Sequence, residues 1–229
     1  MNHENPVGSQ CTKCDPVPFC SKNDQANIWA SKRQLKRHEV LHQPNNQFIH
    51  LYAIQDGALK THETSQDGKE IIHGLYLKNE VYGYDATHQG RHNYYVTALS
   101  ETVVCEIFYP NVLKLLQAEP NLLVIMLDLM SSQLATGLYR QFSLANQRLC
   151  AFLLDVSSRL GLKQQTFLLP MSYQDIGDYL GLTTETVSRL FSRLKHEKIV
   201  TIHNKQIHFL LPEKLKELAG QQYPLCSIC

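Results

Sequence analysis

The chain has 229 residues, with 22 lysines and arginines against 21 aspartates and glutamates for a formal charge of +1, a length that favours two domains with ordinary cores. So even a balance excludes a general attraction to phosphate or to a membrane surface, and any nucleic-acid binding must come from a local arrangement of side chains. No apolar run reaches the length of a membrane span, and residues 1–10 are polar where a secretory signal would be apolar, so a cytoplasmic protein is expected.

Residues 1–31 mix Cys, Pro, Asn and Gly without an apolar period, the composition of a segment whose order depends on what its cysteines bind. Between Phe48 and Phe108, β-prone runs at 51–54, 58–64, 70–77, 94–98 and 102–108 are punctuated by the Asp56-Gly57 and Asp67-Gly68 turn signals. This spacing predicts an antiparallel sandwich or barrel of sensor size. After Pro120, residues Leu123, Leu127, Met130, Leu134 and Gly137 recur at alternating spacings of four and three on one face of a long helix. Such a stripe suits pairing with a second copy of the helix, or packing within its own domain. A further amphipathic helix is predicted over 148–160, and 167–218 reads as a compact helical unit ending in a hairpin.

Within that last unit, Ser172 followed three residues later by Asp175 predicts a capped helix start, with Ile176, Tyr179 and Leu180 on the buried side. Gly181 permits a tight turn and Thr183 can cap a second helix. There Val187, Leu190, Phe191 and Leu194 share the inner face, while Glu185, Ser188, Arg189 and Arg193 share the outer one. Glu can accept a hydrogen bond from cytosine N4 and Arg can donate two to guanine O6 and N7, so Glu185 and Arg189, one turn apart, can read a G·C step. Taken singly, the pair is an ordinary exposed ion pair. Caps, turn glycine, buried face and a following hairpin (200–202, a turn at Asn204-Lys205, 207–210) agree on one DNA-binding module with a wing beside the phosphates. The expected DNA-contacting set is Thr183, Thr184, Glu185, Ser188, Arg189 and Arg193.

In a reducing compartment the 7 cysteines point to metal ligation or redox sensing and away from structural disulfides. Cys11, Cys14 and Cys20 form a C-x2-C-x5-C pattern, and Cys105 lies in the β-prone run 102–108. Thiolates on loops suit zinc or iron-sulfur iron, and spacing does not choose between them. Cys105 also reads as a small core residue, as does Cys150. Cys226 and Cys229 make a terminal C-x2-C read as tail thiols.

Several stretches match a known family: Leu51-Tyr52-Ala53-Ile54 with Gly57, Val104-Cys105-Glu106-Ile107, Pro120-Asn121-Leu122, and above all 175–183 with Glu185-Thr186-Val187-Ser188-Arg189-Leu190. From Cys11 to about Gly220 the chain resembles the FNR family of oxygen-sensing iron-sulfur regulators within the cyclic-AMP receptor protein superfamily. The resemblance implies an α+β fold with an antiparallel β-roll sensor domain (a cupin-like jelly roll), a long dimerisation helix and a C-terminal winged helix-turn-helix. The corresponding bounds are 1–31 for the cysteine segment, 32–119 for the roll, 120–146 for the dimerisation helix and 147–229 for the DNA-binding domain. It also implies a [4Fe-4S] cluster on Cys11, Cys14, Cys20 and Cys105 whose destruction by oxygen releases the protein from DNA. A homodimer joined through Leu123, Leu127, Met130 and Leu134 would bind double-stranded DNA at a palindrome with TTGAT-type half-sites, with RNA polymerase as a further partner and no catalytic activity. His38-Glu39 and Asn45-Asn46 stand where the family has glycines, and Cys226 and Cys229 have no family counterpart.

Three other readings compete. An iron-sulfur electron carrier would use the cysteines but leaves the DNA-reading module unexplained. A cyclic-nucleotide sensor would need the superfamily's Arg-Ser pair, which residues 82–98 lack, so no cyclic nucleotide is expected as partner, and without an apolar spanning run no membrane is either. A zinc site or thiol switch would keep the regulator and change its signal.

Overall fold

The computed structural model describes residues 30–136, 144–160 and 166–220. Described residues of 1–61 and 75–131 form one compact unit, and those of 62–74 and 132–229 a second. Among the described residues no helix is long and apolar enough to cross a membrane.

Among the described residues, eight strands precede the first α-helix: β1 (Ala30–Leu35), β2 (Val40–His42), β3 (His50–Asp56), β4 (Ala58–Thr64), β5 (Glu70–Leu77), β6 (Val81–Tyr82), β7 (Tyr95–Ala98) and β8 (Thr102–Phe108). They form two four-stranded sheets ordered β1-β8-β3-β6 and β2-β7-β4-β5, with β8 antiparallel to both β1 and β3. The two-residue period of a strand explains the two cores. Tyr52, Ile54 and Val104 point into the roll, where they meet Leu35, Leu41, Leu59, Tyr82 and Val96. Their neighbours Leu51, Ala53, Cys105 and Ile107 point to the opposite face, which is covered by Val112 of α1 (Tyr109–Ala118) and Met126 of α2 (Pro120–Thr136). Both faces of the β3-β8 pair are therefore buried, which is why those strands read as continuous apolar runs.

The expected runs at 58–64, 70–77 and 102–108 coincide with β4, β5 and β8. His38 and Asn45, where family glycines were expected, both take φ near 68°, the left-handed conformation a glycine would supply. Hydrogen bonds hold these turns: His38 N–H to the Ala98 carbonyl at 2.8 Å, and Asn45 N–H to that of His92 at 2.8 Å.

Inside the roll the rings of His42 and His92 stack with centroids 3.6 Å apart, against Tyr82. The Tyr82 hydroxyl lies 3.3 Å from His92 Nδ1, and the Asp85 carboxylate 3.6 Å from the same nitrogen. His42 is 7 % exposed, and among the described residues neither of its ring nitrogens has a hydrogen-bond partner. Burial, helped by His92 and opposed by Asp85, lowers its pKa from 6.5 to about 3. Between those values the unfolded chain binds a proton that the folded chain does not, so stability falls as pH falls below 6.5. His42 should thus cost the fold about 2 kcal/mol between pH 7 and pH 5. Urea unfolding at both pH values should show that loss in the wild type and a smaller one in His42→Phe; equal losses would mean that His42 is not held neutral.

The second unit contains α3 (Ala145–Arg159), β9 (Thr166–Leu168), α4 (Tyr173–Leu180), α5 (Thr184–His196), β10 (Val200–His203), β11 (Gln206–Phe209) and α6 (Pro212–Ala219). α3 buries Leu149, Phe152, Leu153 and Val156 at helical spacing and starts three residues before the expected 148. The hairpin β10-β11 turns at Asn204 and Lys205, both at positive φ, as a two-residue turn matched to the twist of paired strands requires. β9 adds to β11 as a third, antiparallel strand, so the wing is a three-stranded sheet and not a lone hairpin.

Candidate DNA-reading helix and metal-ligand site

α4 and α5 are joined by a turn whose geometry is set locally. Ser172 caps α4 by accepting a hydrogen bond from Asp175 N–H at 3.0 Å, and the Asp175 carboxylate accepts from Ser172 N–H at 3.0 Å. Gly181 ends the helix at φ 66°, and a Cβ on Gly177 would press to 2.6 Å from the Leu182 carbonyl. The turn is therefore compact because both positions lack a side chain. Thr183 opens α5 by accepting from Thr186 N–H at 3.2 Å. From α3, Arg148 donates to the Leu180 carbonyl at 2.8 Å and ties the end of α4 to the unit's core.

Val187, Phe191 and Leu194 of α5 are buried, with Phe191 stacked on Tyr173 at 4.8 Å, while Leu190 is half-buried. Glu185, Ser188 and Arg189 lie on the exposed side. Glu185 and Arg189 approach only to 3.9 Å with side chains 79 % and 71 % exposed, a pair too loose and wet to hold either group. Both can turn to another partner at little cost. Arg193 differs, since its Nε donates to Glu197 at 2.6 Å and this bond raises the guanidinium pKa. Thr184 also differs: its hydroxyl is hydrogen-bonded to Gln174, whose amide donates to Asp178 at 3.0 Å. Of the six expected contacts, then, Glu185, Ser188 and Arg189 have no fixing hydrogen bond among the described residues, while Thr183, Thr184 and Arg193 already serve the module itself. Gln174 and Arg148 were not expected from sequence; a Gln opposite a helix start and an Arg one turn into a different helix carry no local signal.

Cys105 is fully buried in the outer core of the roll, facing Met126 of α2. The Gln55 side-chain Nε2 donates to its Sγ at 2.9 Å. An amide donor aimed at a sulfur in apolar surroundings fits a thiolate that ligates a metal, because such a sulfur carries charge that hydrocarbon cannot solvate. Cys11, Cys14, Cys20, Cys226, Cys229 and Gly137 lie outside the described residues. Among the described residues no three His, Cys, Asp or Glu side chains come together as a metal site. Cys150 is buried on α3, and burial pushes its thiol up to about 12, as suits a core residue.

α2 has two apolar faces. Leu122, Met126, Leu129 and Met130 pack on the outer core of the roll, whereas Leu123, Leu127 and Leu134 are exposed. Met130 is the member of the expected stripe that turns partly inward, and Val124, 58 % exposed, joins the outer face in its stead.

Two family profiles match the chain: a Cyclic nucleotide-binding domain over residues 32–119 and a Crp-like helix-turn-helix domain over 147–218. The transcriptional activator protein Anr of Pseudomonas protegens is 32 % identical over 227 residues, covering 93 % of each chain. The fumarate and nitrate reduction regulatory protein of Escherichia coli is 33 % identical over 201 residues, 85 % of this chain and 80 % of that one. Among solved structures, FixK2 from Bradyrhizobium japonicum superposes with a TM-score of 0.74 at 26 % identity, over 82 % of this chain and 96 % of the other. A roll, a capped reading helix and likeness along nearly the whole chain to these regulators show that the protein belongs to the CRP/FNR family of DNA-binding transcription regulators, which are not enzymes.

Proposed function

We propose that the protein is an oxygen-responsive regulator that binds a palindromic TTGAT-type site as a homodimer and senses through a [4Fe-4S] cluster held by Cys11, Cys14, Cys20 and Cys105. The observation that carries this reading is the position of Cys105. Its sulfur shares one core with Met126, and the far face of the same helix presents Leu123 and Leu127 to solvent. A change at Cys105 is thus one packed layer from a surface suited to a second copy. When bound, the cluster supplies the reactivity toward oxygen. Cys105 and the N-terminal cysteines hold it, α2 carries the consequence to the dimer seam, and Glu185, Ser188 and Arg189 read the DNA. RNA polymerase is the partner through which such a complex acts on transcription in the cytoplasm.

The interior of the roll supports a signal other than a cyclic nucleotide. There His92 turns inward onto His42 and Tyr82, filling space with aromatic rings, and the strand that follows lacks the Arg-Ser pair of nucleotide-binding relatives.

Protein purified without oxygen should show broad visible absorption with bound iron and sulfide that bleaches in air. Cys105→Ala should abolish the absorption, as should Ala at Cys11, Cys14 or Cys20, whereas Cys150→Ala should keep it. A colourless protein carrying zinc, or no metal and an air-formed disulfide, would overturn the reading.

A further inference from the structure

We propose that Gln55 is a positioning residue for Cys105, holding its sulfur as a ligand and setting how firmly, and at what potential, the cluster is kept; this rests on the [4Fe-4S] reading above. The register of β3 against β8 pairs Ala53 with Cys105 and Ile54 with Val104, but then Asp56 with Val103. Two steps on β3 meet one on β8, so Gln55 is the extra residue of a β-bulge. Such a bulge re-aims the side chain that it carries. Gln55 is brought beside Cys105, and its carboxamide donates to Sγ at 2.9 Å. The surrounding core is largely hydrocarbon, with Leu51, Ala53, Val81, Ile107 and Met126 beside the Tyr84 ring. Gln55 also shares the two-residue period of Leu51 and Ala53, which puts it on the sulfur's face of β3.

A hydrogen bond to a ligating sulfur withdraws charge from it. That favours the ligating form, orients the lone pairs, and moves the reduction potential of an iron-sulfur centre upward. Gln55 is half-buried, so its replacement need not disturb the core.

The test uses the full chain loaded without oxygen, in wild type, Gln55→Met, which keeps bulk and removes the donor, and Gln55→Glu, which keeps shape and replaces the donor by an anionic acceptor. Three quantities are read: the midpoint potential of the bound cluster, the rate at which EDTA removes its visible absorption anaerobically, and the urea midpoint of the metal-free protein. Gln55→Met should lose the cluster about tenfold faster, the low end of what removing a ligand's hydrogen-bond partner does to metal affinity, with a more negative potential and an unchanged urea midpoint. Gln55→Glu should shift the potential further in the same direction. Wild-type potential and loss rate in both variants would overturn this inference and leave the cluster intact as the sensor. A wild-type protein without iron and sulfide would overturn the sensor, and this inference with it.

Discussion

Arg189→Ala is expected to weaken binding to a palindromic TTGAT-type duplex by about 2 to 6 kcal/mol, twice the 1 to 3 kcal/mol typical of one bidentate arginine-guanine contact, since a dimer loses it in both half-sites. The structure supports a contact of this kind in three ways. Capped by Thr183, α5 presents Glu185, Ser188 and Arg189 within its first turn and a half, the part of a reading helix that enters the major groove. Phe191 and Val187 anchor the helix from behind, so its pitch against the groove is set by packing. Glu185 at 3.9 Å guides the guanidinium without tying it down, unlike Glu197 with Arg193 at 2.6 Å. Gel-shift titrations on cognate and scrambled duplexes at one salt concentration separate the roles. Binding to scrambled DNA should change much less, and Arg189→Lys should keep it without regaining the preference for the palindrome, because an ammonium keeps the charge and lacks the planar fork. Equal losses on both duplexes would make Arg189 a phosphate contact.

The reading module was legible because its geometry is encoded locally: Ser172, Asp175, Gly181 and Thr183 each act within four residues of their own position. The same holds for β4, β5 and β8, which lie between clear turn signals. Elements defined by distant partners were not legible. β9 is three residues long and exists because Phe167 pairs with Ile207, forty residues on. β1, β2 and β6 are short strands completed by β8, β7 and β3, and the residues following β8 fold into α1 with Pro110 in its first turn. In the roll, sequence singled out Cys105 but could not link it to Gln55, because that contact depends on how two strands fifty residues apart pair. His42 and His92 had no signal either, since a stacked pair forms only once β2 and the loop before β7 meet. On α2 the heptad-like spacing picked out Leu123, Leu127 and Leu134, which are exposed, but could not tell that the roll claims Met130 and leaves Val124 outside.

Leu127→Glu is expected to convert the dimer to monomers and to lower affinity for the palindrome on the order of 100-fold, the effective-concentration advantage lost when two linked sites bind separately. Leu127 is 57 % exposed on α2, so the substitution removes little from the protomer's own core; Met126, at 7 %, would be a poor choice because it holds the helix to the roll. In a two-fold dimer each introduced carboxylate would face an apolar seam, and by symmetry the two would face one another. Burying such groups unpaired costs several kcal/mol for each. Leu134, 81 % exposed, should behave in the same way if the seam extends along the helix. Coupling to the sensor adds a second readout. If Cys105 transmits its state through Met126, loading should tighten the dimer by about 1 to 3 kcal/mol, and dimerisation should hold the cluster more firmly by the same amount. Sedimentation of anaerobic and air-exposed samples, each with and without the palindrome, measures both. A wild-type protein whose mass and affinity ignore air would break the link between sensor and seam, and a Leu127→Glu protein still dimeric at micromolar concentration would place the seam elsewhere.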